Sequence, residues 1–152
     1  MITYTKPTLL DIKEMQELIA PEVEEGIILP RSDDEVATNI RSYTIAKDRR
    51  KVVAFAALHI HSPSLAEIRS LIVKREYRGE GIGKEIVKRC LREAEKLCVK
   101  KVFTLTYEKE FFEKIGFKEI PKETLPEHKI WADCIKCKHF PICNEIALIK
   151  EL

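Results

Sequence analysis

The 152-residue sequence has no excess of either charge: 27 Lys and Arg stand against 25 Asp and Glu, for a net charge of +2. Nucleic-acid binders carry a strong basic bias, so no nucleic-acid partner is expected. No apolar run approaches the roughly 18 residues that a membrane span needs. The longest, residues 52–58, suits a buried strand, and no membrane association is expected. Met1-Ile2-Thr3-Tyr4 leads directly into a strand-like stretch without the apolar core of a signal peptide. The expected compartment is therefore the cytoplasm. Side-chain amides are confined to Gln16, Asn39 and Asn144, while Lys and Glu abound, a thermophile tendency. The five cysteines run against that tendency. In a reducing compartment they are expected as free thiols or metal ligands rather than disulfides.

A length of 152 residues fits one domain with one sizeable core, so residues 1–152 are expected to form a single domain. Residues 2–6 alternate as a short strand that Pro7 ends. Thr8 with Asp11, and Ser32 with Glu35, have the spacing of capping boxes, each opening a helix. Ile12, Met15 and Ile19 recur at helical spacing, and Pro21 is expected to break or kink that helix. Residues 43–46 and 51–60 predict strands joined by a basic hairpin tip at residues 47–50. His61-Ser62-Pro63-Ser64 predicts a turn; His59 and His61 end the strand before it, as ordinary strand-end histidines or, for His59, facing the substrate. Residues 65–73 then return antiparallel.

Glycine is scarce, five in all, and three of the five fall in Arg78-Gly79-Glu80-Gly81-Ile82-Gly83. Before this loop stands the apolar Leu71-Ile72-Val73. After it, residues 84–98 carry one apolar stripe that includes Cys90 and Cys98, read as buried thiols. A strand that turns through glycines into a helix start is an anion site. Glycine permits close backbone approach, and the first helical amides lack intrahelical acceptors. The spacing does not match the dinucleotide-binding fingerprint, and Gly83-Lys84-Glu85 lacks the hydroxyl of a nucleoside-triphosphate loop. Residues 101–107 predict a strand parallel to the one before the glycines. A short helix at 108–115 follows, capped by Gly116, and strands at 117–120 and 145–152 complete the chain. The expected order, β-α-α-β-β-β-α-β-α-β-β, is an α/β (α+β) fold: one mixed sheet of about seven strands with helices on both faces.

Arg78-Gly79-Glu80-Gly81-Ile82-Gly83 has the form Arg/Gln-x-x-Gly-x-Gly/Ala. With Leu71-Ile72-Val73 upstream and Phe112-Glu113-Lys114-Ile115-Gly116-Phe117 downstream, the sequence resembles the GNAT superfamily of N-acetyltransferases, in element order over about the whole chain. The resemblance implies that acetyl-CoA binds with its pyrophosphate on the amides of Arg78, Gly79, Glu80, Gly81, Ile82, Gly83 and Lys84. It also implies a pantetheine arm along the backbone of Leu71, Ile72 and Val73, on a strand splayed from its neighbour. Acetyl transfer needs a proton acceptor for the ammonium, stabilisation of the carbonyl oxygen and a leaving thiolate. Glu67 lies six residues before Val73, roughly 20 Å along a strand. A carboxylate within an apolar strand is costly unless paired, and burial raises its basicity. In related acetyltransferases a Glu at this point is the general base; the alternative is a structural pair with Arg69 on the same face. The resemblance assigns the oxyanion to a backbone N–H near Val73. Many members carry Tyr where this chain has Phe112, so the leaving-group acid falls to Tyr107 or Thr106, or the thiolate leaves unaided.

Leu29-Pro30-Arg31-Ser32, Ala56-Ala57-Leu58, Ala66-Glu67 and Phe103-Thr104-Leu105-Thr106 together resemble the acetyltransferase domain of N-acetylglutamate synthase in a short free-standing form. That implies a small amino-acid acceptor, L-glutamate first, a place in arginine biosynthesis, and substrate binding by Arg31 and Arg69, whose guanidinium forks suit a carboxylate. Protein or peptide N-acetylation and a non-catalytic acetyl-CoA-binding regulator are the competing classes. A homodimer is a further expectation, since exposed sheet edges pair. At the C-terminus, where full-length synthases carry further basic residues, this chain has Cys134-x2-Cys137-x-His139-x3-Cys143. Cys134, Cys137 and Cys143 with His139 can close a tetrahedral zinc site; the alternative is reduced thiols packing an irregular loop.

Overall fold

The first two helices begin where side chains satisfy backbone donors. Thr8 N–H donates to Asp11 Oδ2 at 2.8 Å, and Leu10 N–H donates to Thr8 Oγ1 at 3.2 Å. This capping box opens a 3₁₀ turn that runs into helix α1 (Ile12–Glu24). Ser32 and Glu35 make the reciprocal pair at 3.1 and 3.2 Å that starts α2 (Asp33–Thr38). The computed structural model describes residues 1–125 and 145–152.

Pro21 does not break α1. The helix runs through it, and Glu25 N–H closes the end on Pro21 O at 3.1 Å. Proline removes one donor, and the carbonyl left behind is that of Glu17. Both Glu17 and Pro21 are exposed, so that carbonyl is open to hydration at little cost, while Ile12, Met15 and Ile19 keep the inner face buried.

Seven strands form one sheet: β1 (Ile2–Thr5), β2 (Tyr43–Asp48), β3 (Lys51–Ser62), β4 (Leu65–Val73), β5 (Lys101–Thr106), β6 (Lys118–Ile120) and β7 (Ile146–Glu151). Their spatial order is β1-β2-β3-β4-β5-β7-β6. The β4–β5 pair is parallel and the others are antiparallel. The parallel pair is joined by α3 (Ile82–Lys96), and α4 (Lys109–Glu113) links β5 to β6. The element order and the mixed seven-stranded sheet agree with the sequence expectation. β3 continues two residues past Ile60, which carries His61 into the sheet and leaves the turn to Pro63 and Ser64.

Strand alternation sorts the core onto two faces. On one, Ile86, Val87, Cys90 and Ala94 of α3 pack on Ala56, Leu58, Ala66 and Ile68. On the other, Ile12, Met15 and Ile19 of α1 and Val36 of α2 cover Tyr43, Ile45, Phe55 and Ile72. Burying each large aliphatic side chain contributes roughly 1.5–3 kcal/mol. Cys90 is fully buried, and desolvation pushes its thiol up to about 12, so it is inert. Cys98 departs from expectation. It is exposed, in the left-handed region at φ 66°, where its N–H bonds Glu95 O and Val99 N–H bonds Ala94 O, both at 3.0 Å. That pair of bonds closes the helix end, so the apolar stripe stops before Cys98.

Asp11 also ties α1 to the sheet through Lys47 Nζ at 2.8 Å. Burial works against its charged form, but the Lys47 bond and the Thr8 amide outweigh burial and hold the carboxyl below its ordinary value. A depressed folded-state value means stability that is full above the unfolded value, about 4, and lost as pH falls through the folded one. Asp11→Ala is expected to destabilise by about 1–2 kcal/mol at pH 7, with the gap to wild type closing toward pH 3. Urea melts at the two pH values check this, and a gap independent of pH contradicts it.

Candidate active site

β4 pairs with β5 only at Leu65, Ala66 and Glu67, opposite Lys101, Val102 and Phe103. Along its other edge β4 stays paired with β3 as far as Val73. The cause of the asymmetry is local. Between Arg69 and Ile72 the register slips, so Ser70 and Leu71 stand opposite the single residue Ala56, and Ser70 takes φ 59°. This is a β-bulge, and it re-aims the strand. Before it Ala66 and Ile68 join the α3 core; after it Leu71 and Val73 do, while Ile72 turns to the α1 core. At the fork, Thr104 Oγ1 of β5 donates to Ile68 O at 2.8 Å in a buried setting. Beyond that bond the facing edges of β4 and β5 diverge without a ladder, leaving backbone groups of β4 to other partners. The expected splay of Leu71, Ile72 and Val73 is present.

The cleft ends at the glycine loop. Lys74 N–H bonds Val53 O at 2.7 Å, and a 3₁₀ turn, Arg75–Tyr77, leads to Arg78. Arg78 braces the loop: its Nε donates to Val73 O at 2.9 Å and a terminal nitrogen meets Glu22 of α1 at 3.1 Å. Gly79 and Gly81 both adopt φ +82°, with open space where a Cβ would stand. Those conformations need glycine, and the open space leaves the backbone accessible. Gly81 caps α3, and the first helical bond runs from Glu85 N–H to Gly81 O at 3.0 Å. The amides of Ile82, Gly83 and Lys84 thus have no acceptor within the helix, and the helix dipole adds positive potential there. Lys84, Lys88 and Arg92 of α3 continue the positive field as a groove that Lys114 and Lys150 close from the other side. The groove was missed at the sequence level, because its lysines come from three separate elements.

At the other end of β4 stands Glu67, its side chain 2% exposed. One partner of its carboxylate is His61, with Nε2 2.9 Å from Oε1. His61 is reachable because β3 runs on to Ser62. Arg69 belongs to a row across the sheet, Tyr43–Ala57–Arg69. The small Ala57 leaves room above it. Burial raises the Tyr43 phenol above its ordinary value, and the guanidiniums of Arg31 and Arg69 pull against that rise. Both arginines therefore reach the same neighbourhood. Arg31 lines a small cleft with Gln16, Tyr43, Phe55 and Ser70, and Gln16 Nε2 holds the Arg31 carbonyl at 2.7 Å. Tyr43 and Gln16 carried no signal in the sequence beyond ordinary core and helix positions.

Tyr107 is 38% exposed just past β5, four residues beyond Phe103, hence roughly 13 Å along the strand direction from the level of Glu67. Thr106 Oγ1 accepts from Glu108 N–H at 2.9 Å. Phe112 is a core residue, edge-on to Phe111 and Phe117 at 5.0 and 5.2 Å. Among the described residues no His, Cys, Asp and Glu group could hold a metal; Cys134, Cys137, His139 and Cys143 lie outside them.

The profile of the acetyltransferase (GNAT) domain matches residues 39–119, which contain the bulged strand, the loop and α3. The chain belongs to the GNAT acetyltransferase family. An N-acetyltransferase of Chlorobaculum tepidum, itself uncharacterized, is 40% identical over 128 residues, covering 84% of this chain and 82% of its own. The amino-acid acetyltransferase of Actinobacillus pleuropneumoniae serotype 5b is 34% identical over 124 residues, 80% of this GNAT chain and 28% of that protein. The chain thus spans just over a quarter of that longer relative. Among solved structures, N-acetylglutamate synthase from Neisseria gonorrhoeae, complexed with coenzyme A and N-acetyl-glutamate, superposes with a TM-score of 0.88 at 23% identity, over 100% of this chain and 35% of that one. A Mycobacterium tuberculosis protein complexed with CoA gives 0.83 at 24% identity over 99% of both chains. These two likenesses show the GNAT fold. Among the described residues no helix is long and apolar enough to cross a membrane.

Thr104 is the hinge of the fork. Thr104→Val keeps the shape and removes the donor, leaving the Ile68 carbonyl buried and unpaired. The expected loss is about 1–3 kcal/mol by denaturant melts, and a loss under a few tenths contradicts this role.

Proposed function

We propose that this chain transfers the acetyl group of acetyl-CoA to the amine of a small amino acid, with L-glutamate as first candidate. The observation that carries the proposal is the β4–β5 fork, which opens onto the glycine loop at one end and has buried Glu67 at the other. The single-domain reading of residues 1–152 belongs to the same proposal. Acetyl-CoA supplies an activated thioester carbonyl when bound. The amides of Ile82, Gly83 and Lys84, with the loop from Arg78, suit its pyrophosphate. The edge of Leu71, Ile72 and Val73 that β5 leaves open suits the amides of its pantetheine arm, in the manner of an added strand. The Lys84, Lys88, Lys114 and Lys150 groove suits a further phosphate.

Glu67 accepts the ammonium proton, directly or through water, and frees the amine lone pair. The amine nitrogen bonds the carbonyl carbon while a backbone N–H near Val73 stabilises the oxygen. The nitrogen of the adduct sheds its second proton to solvent, the carbon–sulfur bond breaks, and the thiolate takes a proton from solvent or from Tyr107, which solvent then reprotonates. Arg31 and Arg69 hold acceptor carboxylates beside Tyr43, which supports an amino acid over a plain amine. The amino-acid acetyltransferase of A. pleuropneumoniae and the gonococcal synthase crystallised with N-acetyl-glutamate support the same acceptor class. A non-catalytic acetyl-CoA-binding regulator is the second reading, favoured by Phe112 in place of a tyrosine. A protein or peptide N-acetyltransferase is the third.

Thiol release from acetyl-CoA, measured against the free amino acids and a peptide amine, tests these readings. Turnover with glutamate is expected. Glu67→Gln should lower kcat by about 10²-fold or more at unchanged acetyl-CoA affinity. Arg31→Ala should raise the glutamate KM by about tenfold or more, since a charged hydrogen bond contributes about 1.5–3 kcal/mol. No turnover with any amine favours the regulator, and turnover with the peptide alone favours the third reading.

A further inference from the structure

A buried general base needs more than its own carboxylate, and the surroundings of Glu67 supply a candidate. The His61 and Glu67 side chains are 3% and 2% exposed, with His61 Nε2 2.9 Å from Glu67 Oε1. His61 is clamped on two sides. Its ring stacks on Phe103 of β5 at 5.3 Å and 30°, and meets His59 edge-on at 4.7 Å. Phe103 is completely buried, in a cluster with Leu125 and Ala147, so the stack has a rigid floor. The imidazole therefore has little freedom to swing away from the carboxylate. A carboxylate only accepts hydrogen bonds, so the tautomer that fits is the one with its proton on Nε2.

We propose that His61 is a positioning residue for the reaction: it donates Nε2–H to Glu67 Oε1, fixes the carboxylate rotamer and favours the ionised base at neutral pH. The proposal rests on Glu67 as the base. Hydrogen bonding to the charged form favours that form, and burial makes the loss of such a donor felt more strongly. Among the described residues, the titratable and charged groups on the neighbouring strands are His59 on β3 and Arg69 on β4, with Tyr43 of β2, Arg31 and Glu35 in the next row beyond Ala57; β5 presents the apolar Phe103. The acid limb of kcat/KM reports on the essential base of the free enzyme and is the readout for this contact.

The test compares pH profiles of kcat/KM for wild type, His61→Phe, His61→Gln and Glu67→Gln, with melting temperature and acetyl-CoA binding measured for each. Phe keeps the stack and removes the donor. Gln places an amide N–H near the Nε2 position. His61→Phe is expected to move the acid limb upward by about one pH unit and to lower kcat more than it alters KM for acetyl-CoA. His61→Gln is expected to return the limb toward wild type. Should Phe prevent folding, His61→Asn carries the test, because its shorter amide stops at the Nδ1 position and should move the limb as Phe would. Superimposable limbs for wild type and the Phe or Asn variant overturn the role of His61. Full activity in Glu67→Gln overturns the base assignment instead, so the two failures are distinguishable.

Discussion

A central strand can be paired on both edges or open on one, and β4 changes from the first state to the second within a few residues. Up to Glu67 it is held between β3 and β5. At Ser70 the bulge turns the strand, and past Thr104 the two parallel strands no longer share hydrogen bonds. Buried backbone groups demand partners, so an opening of this kind stays open only if something else completes it. The depth of the cleft, the direction of the proposed ligand and the separation of its two ends all follow from the fork. α3 begins at the foot of the cleft with unpaired amides, and Glu67 lies behind its apex.

The two ends are built by opposite means. At the proposed phosphate end the protein uses backbone: glycines at positive φ, a helix start and a brace from Arg78 to the Val73 carbonyl. At the proposed acceptor end it uses side chains packed over small residues. Ala57 leaves a gap between Tyr43 and Arg69, and Arg31 approaches from the connector that Gln16 pins in place. Backbone amides suit a ligand shared by many enzymes, because they do not depend on side-chain identity. Guanidiniums and a phenol over an alanine floor are easily changed, which suits a part of the family fold where acceptors differ.

Much of this was legible in the sequence. The capping boxes at Thr8 and Ser32, the glycine loop, the stripe on α3 and the buried Glu67 all arise from short-range rules that one stretch of residues states by itself. What failed or was missed depends on tertiary context. Pro21 was expected to break or kink a helix, and the helix runs through it, with Glu17 and Pro21 both on the exposed side. Cys98 was counted with the buried stripe, but it is the left-handed residue that ends the helix. His61 was read as a strand-end residue running into the turn; its contact with Glu67 was missed, because it depends on how β3 pairs with β4. The bulge at Ser70 has no local signature, since a serine at φ 59° is dictated by the pairing on either side. The basic groove combines lysines from α3, the segment after α4, and β7.

Hydrogen exchange with and without acetyl-CoA tests the fork most directly. Saturating acetyl-CoA should slow exchange of amides in residues 70–73 and 82–84, while amides already paired between β5 and β7 change little. Saturation proven by calorimetry, with no added protection in either segment, would contradict the account.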